Sequence, residues 1–379
     1  MPHISSILML MARRQRGALL PLILGLASIA GAAPRTPKYS WMLQPFNRPP
    51  DSHPVIVPQP QAVFFDPIRR QNVHWEALHT FNPAAIVRNG QVYVLYRAED
   101  NTGSMAIGEH TSRLGLAVSS DGIHFRQMPE PVFYPAHDSQ YEREWPGGVE
   151  DPRIVQTEDG LYVLTYTQWN RVTWRAAIAT SRDLIHWIKY GPAFGTTGKY
   201  ASLRYKSAGI VTRLVGDRLV AARLHGKYWM YWGEGTISLA SSTDLIHWTP
   251  VEGRPGNPVA LLAPRQGRFD SALAEVGAPP LLTRQGIVLL YNGKNATAGG
   301  DPRIEPGAYS SGQALFSAAE PTRLLARSAD PYFRPEEPWE RSGQYAAGTT
   351  FVEGLVFFHH EWFLYYGCAD SFVGVAVRR

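Results

Sequence analysis

The chain repeats one segment of ten residues, which reads Leu116-Ala-Val-Ser-Ser-Asp-Gly-Ile-His-Phe125 and returns as Ile178-Ala-Thr-Ser-Arg-Asp-Leu-Ile-His-Trp187 and as Leu239-Ala-Ser-Ser-Thr-Asp-Leu-Ile-His-Trp248. The copies lie about 60 residues apart, a period typical of repeat architectures. Each copy reads as a short apolar strand, a Ser-x-Asp turn whose side chains bond the local backbone, and an aromatic residue that begins the next strand. A fourth, degraded copy occupies residues 325–330. The pattern predicts a chain built from one repeated β unit.

Strands of a second type lie between these copies. They are runs of apolar, β-favouring residues bounded by glycines or charges, at residues 92–96, 162–166, 228–232, 287–291 and 362–366. Such runs are typical of strands buried between packed sheets. Five units of about 65 residues predict an all-β, five-bladed β-propeller as a single domain over residues 34–379, with its site at the central channel. A two-sheet sandwich is the alternative, but it does not explain the repeat.

The amino terminus has the layout of a secretory signal peptide over residues 1–33. Arg13, Arg14 and Arg16 precede an apolar run at residues 18–30, and small residues at 31–33 suit a cleavage site. The run is about half the roughly 20 residues needed to span a bilayer. We therefore expect a secreted or periplasmic protein without stable membrane insertion. Cleavage would reduce the formal charge from +5 to about +2, which leaves a nucleic-acid partner without support.

The sequence carries no motif for a metal or a cofactor. It has no Cys-x-x-Cys pair, no His-Glu-x-x-His helix and no calcium loop. We therefore expect no obligatory metal and no cofactor. The acidic and histidine residues of the repeated turns, such as Asp183 and His186, recur at equivalent positions. We expect them to be structural, because a catalytic site on a cyclic scaffold uses non-equivalent side chains from different units.

The candidates for chemistry are the residues that break the repeat, most of which follow a predicted strand. They form the segments Phe81-Asn-Pro83, Tyr96-Arg-Ala-Glu-Asp100, Gly148-Val-Glu-Asp-Pro-Arg153, Gly233-Glu234, Ala274-Glu275, Tyr291-Asn-Gly293 and Tyr366-Gly-Cys-Ala-Asp370. Asn, Arg and Asp at the mouth of a channel can bond sugar hydroxyls, and Trp or Tyr can cover the apolar face of a sugar. These residue types indicate a carbohydrate site.

Structural interpretations compete with this one. Residues 150–153 fit a turn that contains an Asp-Arg pair. Glu234 and Glu275 fit solvated loop carboxylates, which is the usual situation of glutamate. The tryptophans near the strands fit packing between blades better than sugar platforms, namely Trp169, Trp174, Trp229 and Trp232.

The order of these motifs resembles glycoside hydrolase family 130, the mannoside phosphorylases and mannosidases. The resemblance covers roughly residues 75–379 and includes the three Ser-x-Asp units, Pro279-Pro280 and Leu325-Ala-Arg-Ser328. Each motif alone is unspecific, whereas their order and spacing together are specific. The resemblance implies an enzyme for mannose-containing oligosaccharides or glycans. It also implies that Asp151 is the general acid, acting through a sugar hydroxyl, and that mannose is held by Asn82, Arg97, Asp100, Arg153, Lys206 and Asp370.

Two departures from the family pattern concern the nucleophile. In the phosphorylases, the strand of the third unit is typically followed by His-Arg-Pro and that of the fourth unit by Tyr-His-Gly, which supply cations for phosphate. This chain reads Tyr231-Trp-Gly-Glu234 and Tyr291-Asn-Gly293 there, and it adds Glu275. Carboxylates repel a phosphate dianion at short range. We therefore predict a phosphate-independent glycoside hydrolase, an inverting β-mannosidase for β-1,2-linked mannosides, with Asn292 beside the substrate.

An inverting hydrolase needs a carboxylate that positions or deprotonates water, about 6.5–9.5 Å from the acid. Glu234 and Glu275 both fit this role. The first alternative is a mannosyl phosphorylase with phosphate bound by Arg213, Arg223, His225 or Lys227. The second is a propeller lectin that binds glycans without cleaving them. No coiled-coil or amphipathic pattern indicates an oligomeric state.

Overall fold

The computed structural model of the chain describes residues 40–50 and 52–379. The predicted signal peptide, residues 1–33, lies outside the described residues. Residues Trp41–Arg379 form one compact unit, and of the other unit, Met1–Ser40, only Ser40 is described. Among the described residues there is no helix with the length and apolar character of a membrane span.

The strands form five antiparallel groups that follow one another along the chain, after a hairpin of β1 (Phe64–Asp66) and β2 (Gln71–Val73). Group 1 consists of β3 (His79–Arg88), β4 (Gln91–Glu99), β5 (Ser112–Ser119) and β6 (Arg126–Gln127). A short helix, α1 (Tyr141–Glu144), precedes group 2, which consists of β7 (Gly148–Gln156), β8 (Tyr162–Trp169), β9 (Trp174–Ser181) and β10 (Trp187–Pro192).

Group 3 consists of β11 (Ala208–Ile210), β14 (Arg223–Leu224), β15 (Lys227–Trp232), β16 (Ser238–Ser242) and β17 (Thr249–Pro250). Along the chain, a hairpin of β12 (Thr212–Val215) and β13 (Arg218–Ala221) lies between β11 and β14. The hairpin of β18 (Glu252–Arg254) and β19 (Asn257–Pro258) follows. Group 4 consists of β20 (Leu273–Val276), β21 (Leu281–Thr283), β22 (Gly286–Lys294), β23 (Tyr309–Phe316) and β24 (Leu324–Arg327). After a 3-10 turn at Pro338–Glu340, group 5 consists of β25 (Thr350–Phe358), β26 (Glu361–Cys368) and β27 (Phe372–Arg378).

The all-β prediction is confirmed, and β4, β8, β15, β22 and β26 cover the five apolar runs of the sequence. The repeated turns follow β5, β9 and β16 and share one hydrogen-bond pattern. In the first copy, the Oδ1 of Asp121 accepts from the backbone nitrogens of Ile123 and His124 at 2.9 and 2.8 Å, while Oδ2 contacts the His124 ring at 2.7 Å. Asp183 and Asp244 make the same contacts. These residues shape turns, as predicted.

Five hydrophobic clusters fill the spaces between the groups. Four of them join successive groups, from 1 and 2 through to 4 and 5. The fifth joins group 5 back to group 1, with Tyr365 of β26 and Val94 of β4 in one cluster. Each fully buried apolar side chain of this kind contributes about 1.5–3 kcal/mol. Packing therefore links the groups in a cycle, although no described sheet closes on itself through hydrogen bonds, and the five-bladed arrangement stays a prediction.

Candidate active site

A cavity of about 290 Å³ is lined by residues in or next to all five strand groups. This volume is near the lower end of the roughly 300–1,000 Å³ typical of small-molecule sites. The lining residues are Phe81, Asn82, Arg97, Glu99, Ile107, Gly108, Glu150, Asp151, Thr167, Trp169, Trp174, Lys206, Glu234, Glu275, Tyr309, Gln344, Tyr345, Thr349, Phe351 and Asp370. The sequence predicts catalytic or substrate-binding roles for ten residues, and seven of them line the cavity: Asn82, Arg97, Asp151, Lys206, Glu234, Glu275 and Asp370. The charged lining consists of six carboxyl groups and two cations.

Two bulges direct polar side chains into this cavity. The pairing register shifts in β3 between Phe81 and Pro83 and in β7 between Glu150 and Arg153. Asn82 and Asp151, which lie at these shifts, have φ angles of 47° and 49°, a left-handed conformation that is uncommon for residues other than glycine. A bulge re-aims the side chains around it. The two side chains meet, because Asn82 Nδ2 donates to Asp151 Oδ1 at 2.8 Å.

The bulge in β7 also explains why Glu150 and Asp151, although consecutive, both line the cavity. Arg97 of β4 holds the two carboxylates together. Its Nη2 lies 2.8 Å from Glu150 Oε1, and its Nη1 lies 3.3 Å from Asp151 Oδ1. The same Nη2 lies 2.7 Å from Glu99 Oε1. One guanidinium is therefore shared among three carboxylates.

This pair of carboxyl groups holds a proton near neutral pH. Burial raises the pKa of Glu150 to about 7. Burial acts on Asp151 in the same direction, but the charges of Arg97 and Lys206 outweigh it and lower the pKa of Asp151 to about 2. Two carboxyl groups so close together titrate as a pair and share one proton. A general acid needs such a proton, and it resides preferentially on Glu150, the member of the pair with the higher pKa.

Lys206, just before β11, stands between the predicted acid and the two predicted bases. Its Nζ lies 3.9 Å from Asp151 Oδ2, 3.5 Å from Glu234 Oε1 and 3.7 Å from Glu275 Oε1. Burial disfavours the charged amine, but Glu275 and Glu234 raise the pKa of Lys206 well above its usual range. The amine therefore remains a cation. Because these distances share one nitrogen, the acid is within about 8 Å of either glutamate, a limit compatible with both the roughly 6.5–9.5 Å of inverting enzymes and the roughly 5–5.5 Å of retaining ones.

The two glutamates differ in their surroundings. The side chain of Glu275, on β20, is 1% exposed and accepts a hydrogen bond from Ser207 Oγ. Burial raises the pKa of Glu275 to about 7, although Lys206 opposes the shift. The side chain of Glu234, in the turn after β15, is 35% exposed. Glu275 is therefore the desolvated carboxylate, and Glu234 is the one in contact with solvent.

Asp370 completes the charged lining on the side of group 5. It follows β26 with a φ of 52°, and Gln344 Nε2 donates to its backbone carbonyl at 2.9 Å. Burial raises the pKa of Asp370 to about 7, with Arg97 opposing the shift. A carboxyl group in this state can donate or accept a hydrogen bond to a sugar hydroxyl.

Three residues predicted to bind substrate lie outside the cavity lining, and each is used within the protein. Asp100 is fully buried and its Oδ2 is 2.8 Å from Arg113 Nη1. Asn292 is fully buried, and its side chain bonds both the nitrogen and the carbonyl oxygen of Val352, at 2.9 and 3.0 Å. Arg153 lies beneath the acid. Its Nη1 donates to the carbonyl oxygen of Asp151 at 3.0 Å.

The sequence did not predict roles for the other lining residues. Glu99 and Glu150 belong to quoted motifs, but nothing in their spacing showed that both face inward. Gln344, Tyr345 and Thr349 come from irregular segments, and Tyr309 and Phe351 lie at the starts of β23 and β25. The sequence favours packing roles for Trp169 and Trp174, yet both line the cavity. Alternation along β8, which places Thr167 and Trp169 on one face, is the signal that could have found one of them.

The cations proposed for a phosphorylase lie elsewhere: none of Arg213, Arg223, His225 or Lys227 lines the cavity. Arg213 pairs with Glu158, and Arg223 donates to the carbonyl oxygen of Thr243 at 3.1 Å. Within residues 40–50 and 52–379, no group of three His, Cys, Asp or Glu side chains is arranged to hold a metal ion.

Several carboxyl groups in one cavity with aromatic walls are typical of carbohydrate-active enzymes. The chain belongs to glycoside hydrolase family 130. The family model described as β-1,4-mannooligosaccharide phosphorylase matches residues 53–379. A 1,2-β-oligomannan phosphorylase of Thermoanaerobacter sp. strain X514 is 32% identical over 80% of this chain and 90% of its own length.

Several solved structures have a higher sequence identity to this chain. One is a member of the GH130 family of mannoside phosphorylases, which contains glycoside hydrolases that target β-1,2-mannosidic linkages in Candida mannan. It is 51% identical, with a TM-score of 0.88 over 89% of this chain and 95% of that chain. A glycosyl hydrolase from Bacteroides ovatus is 52% identical, with a TM-score of 0.87 over 89% of this chain and 94% of that one. The chain is thus a member of a family whose enzymes act on mannosides.

Proposed function

We propose that this protein is an inverting, phosphate-independent β-mannosidase that removes mannose from β-1,2-linked mannosides. One observation carries the proposal: each cation that lines the cavity is already shared among three carboxylates. Arg97 contacts Glu99, Glu150 and Asp151, whereas Lys206 contacts Asp151 together with the two candidate bases. Among the residues that the structure describes, no cation of the cavity lining is left for a phosphate dianion.

The electrostatic balance favours water as the nucleophile. Unit charges 4 Å apart interact by about 4 kcal/mol at the effective dielectric constant of a protein surface. A dianion beside Glu234 and Glu275 meets this repulsion from two sides, while Lys206 offsets only part of it. Water carries no charge and needs a base, and either glutamate supplies one. The lining residues are therefore suited to hydrolysis.

In the proposed reaction, water attacks the anomeric carbon on the face opposite the glycosidic bond. Glu275, assisted by Glu234, accepts a proton from the water while the bond to the leaving sugar breaks. Glu150, which holds the shared proton, passes it to Asp151, and Asp151 delivers it to the leaving oxygen through a sugar hydroxyl. Exchange with solvent then removes the proton from Glu275 and returns one to the pair. Asn82, Arg97, Lys206 and Asp370 hold the mannose. Arg153, Asp100 and Asn292 support the lining from beneath.

We also propose the five-bladed propeller and export. The cyclic order of the five hydrophobic clusters supports five blades around a central cavity. Residues 1–33 have the signal layout of an exported protein. Export fits hydrolysis, because a sugar phosphate is useful only where metabolism can take it up.

A mannosyl phosphorylase is the second candidate, favoured by the name of the relative from Thermoanaerobacter. In that case Lys206 would turn from the glutamates toward phosphate. A glycan-binding protein without activity is the third candidate. Either enzyme should lose turnover but keep sugar binding when Asp151 is substituted, whereas a glycan-binding protein has no turnover to lose.

The test is incubation with β-mannobioses of defined linkage in phosphate-free buffer, with the released anomer followed by proton NMR. Inverting hydrolysis predicts α-mannose as the first product from the β-1,2-linked disaccharide. If β-mannose is the first product, the enzyme retains the anomeric configuration and the inverting mechanism is wrong. Absence of turnover without phosphate would overturn the hydrolase proposal.

A further inference from the structure

We propose that Trp169 and Trp174 form the subsite for the leaving sugar, the unit on the far side of the cleaved bond. This inference rests on the proposed function and extends it. Both indoles line the cavity and both are half-buried, so part of each ring is open to a ligand. Their centroids are 6.1 Å apart at 59°, which makes an angled wall rather than a flat stack.

The position of this wall relative to the acid identifies its occupant. Trp169 of β8 pairs with Gly148 of β7, and Thr167, two residues earlier, pairs with Glu150. The indoles therefore lie beyond the Glu150–Asp151 pair, and Lys206 with the candidate bases contacts Asp151. In the proposed mechanism the acid passes its proton through a hydroxyl of the cleaved mannose, so the mannose contacts Asp151, and the leaving sugar lies on the side of the pair away from the bases. The wall next to the acid is accordingly the leaving-group side.

The indoles are held in place as a binding surface. Gly147 packs so closely on Trp169 that an added Cβ would lie 2.3 Å from its ring. Trp169 Nε1 donates to the carbonyl oxygen of Gly108 at 3.2 Å. The guanidinium of Arg204 lies 5.5 Å from the centroid of the Trp174 ring. These contacts orient each ring before a ligand arrives, which lowers the entropy lost on binding.

The chemistry of the wall fits a pyranose. A sugar ring presents an apolar C–H face that an indole covers, whereas its hydroxyls need polar partners. Thr167 and Glu150 supply such partners at the foot of the wall. Ile107, on the loop that Trp169 bonds through Gly108, extends the apolar surface and is 57% exposed. The wall therefore suits a sugar that stacks on one face and bonds along one edge.

The test compares two measurements on Trp169→Ala and Trp174→Ala with β-1,2-mannobiose as substrate. We expect KM to rise about tenfold, equivalent to the loss of about 1.4 kcal/mol of binding. The inhibition constant of free mannose, which occupies the site of the cleaved sugar, should stay within a factor of two of wild type. Trp169→Phe, which keeps a ring but loses the bond to Gly108, should lie between wild type and alanine.

Val172→Ala is the matched control, because Val172 is 71% exposed on the same hairpin and does not line the cavity. Its KM should equal that of wild type. Equal KM values in wild type and both tryptophan variants would overturn the proposal, as would an equal rise in the inhibition constant of mannose. If turnover requires phosphate, KM and the inhibition constant of mannose are measured for phosphorolysis instead. The subsite proposal is then still tested, although the hydrolase proposal has failed.

Discussion

The Nζ of Lys206 lies 3.7 Å from the Oε1 of Glu275, a carboxyl group that is 1% exposed. The amine partly offsets the cost of ionising this buried group, whose pKa burial raises to about 7. A base in this state accepts a proton from water readily, since its pKa is close to the operating pH. The chemistry of attack therefore depends on this contact.

Glu275→Gln should lower kcat for β-1,2-mannobiose by at least about 100-fold, the usual scale for loss of a general base. Azide should restore turnover and give α-mannosyl azide, because an anion that attacks by itself needs no base. Glu130→Gln, at an exposed carboxylate outside the cavity, is the control. Unchanged hydrolysis in both Glu275→Gln and Glu234→Gln would show that neither glutamate is the base.

The pH profile of kcat/KM should be bell-shaped with its maximum near neutrality. The pKa of Glu275 is raised to about 7, so this base becomes ionised, and active, as pH rises through that value. The pKa of Glu150 is also raised to about 7, so the proton shared with Asp151 is lost as pH rises through the same region. The two limbs overlap, which predicts a narrow optimum. A plateau from pH 5 to pH 9 would contradict both assignments.

Asp151→Asn should abolish turnover while mannose still binds. The amide keeps the size of the side chain but cannot deliver a proton, so the rate should fall by at least about 100-fold. Isothermal titration with mannose measures binding independently of turnover. Glu150→Gln should also lower the rate near neutral pH and should move the alkaline limb of the profile to lower pH, because Asp151 then titrates alone with a pKa that Arg97 and Lys206 lower. Retention of full activity by Asp151→Asn would exclude it as the acid.

Arg153→Met should destabilise the protein by about 1–3 kcal/mol, since it leaves buried carbonyl oxygens of Asp151, Val276 and Gly277 without their donor. Arg153 Nη2 lies 2.8 Å from Glu353 Oε1, and the two side chains are 1% and 0% exposed. Replacing both residues by apolar ones should recover only part of the loss, because the carbonyl oxygens that Arg153 bonds stay without a donor. Urea unfolding of the two single variants and the double variant measures the coupling. Additive effects would show that the pair is not coupled.

The sequence predicted the strands well because their signals are local. The runs that became β4, β8, β15, β22 and β26 are apolar and bounded by turn residues, and the Ser-x-Asp turns carry their own hydrogen-bond partners. The cavity was harder to predict. Strand alternation places neighbouring residues on opposite faces, but the bulge in β7 turns both Glu150 and Asp151 inward. A bulge depends on pairing with another strand, which one segment does not reveal.

The same limit explains the residues that lie outside the lining. Asp100 ends the segment that contains Arg97, yet Arg113 of the neighbouring strand β5 pairs with it. Arg153 and Asn292 face the backbone of strands more than 50 residues away, at Val276 and Val352. Position after a strand end shows that a residue is near the mouth of a channel. It does not show whether side chains or backbone groups of neighbouring strands pair with that residue.

The central claim, hydrolysis without phosphate, is tested most directly by the initial rate of cleavage of β-1,2-mannobiose at phosphate concentrations from zero upward. The products are separated as free mannose and mannose 1-phosphate. The structure predicts a rate independent of phosphate and free mannose as the sole product, because the carboxylates already engage Arg97 and Lys206. A rate that is zero without phosphate and rises with it, with mannose 1-phosphate formed, would contradict the claim.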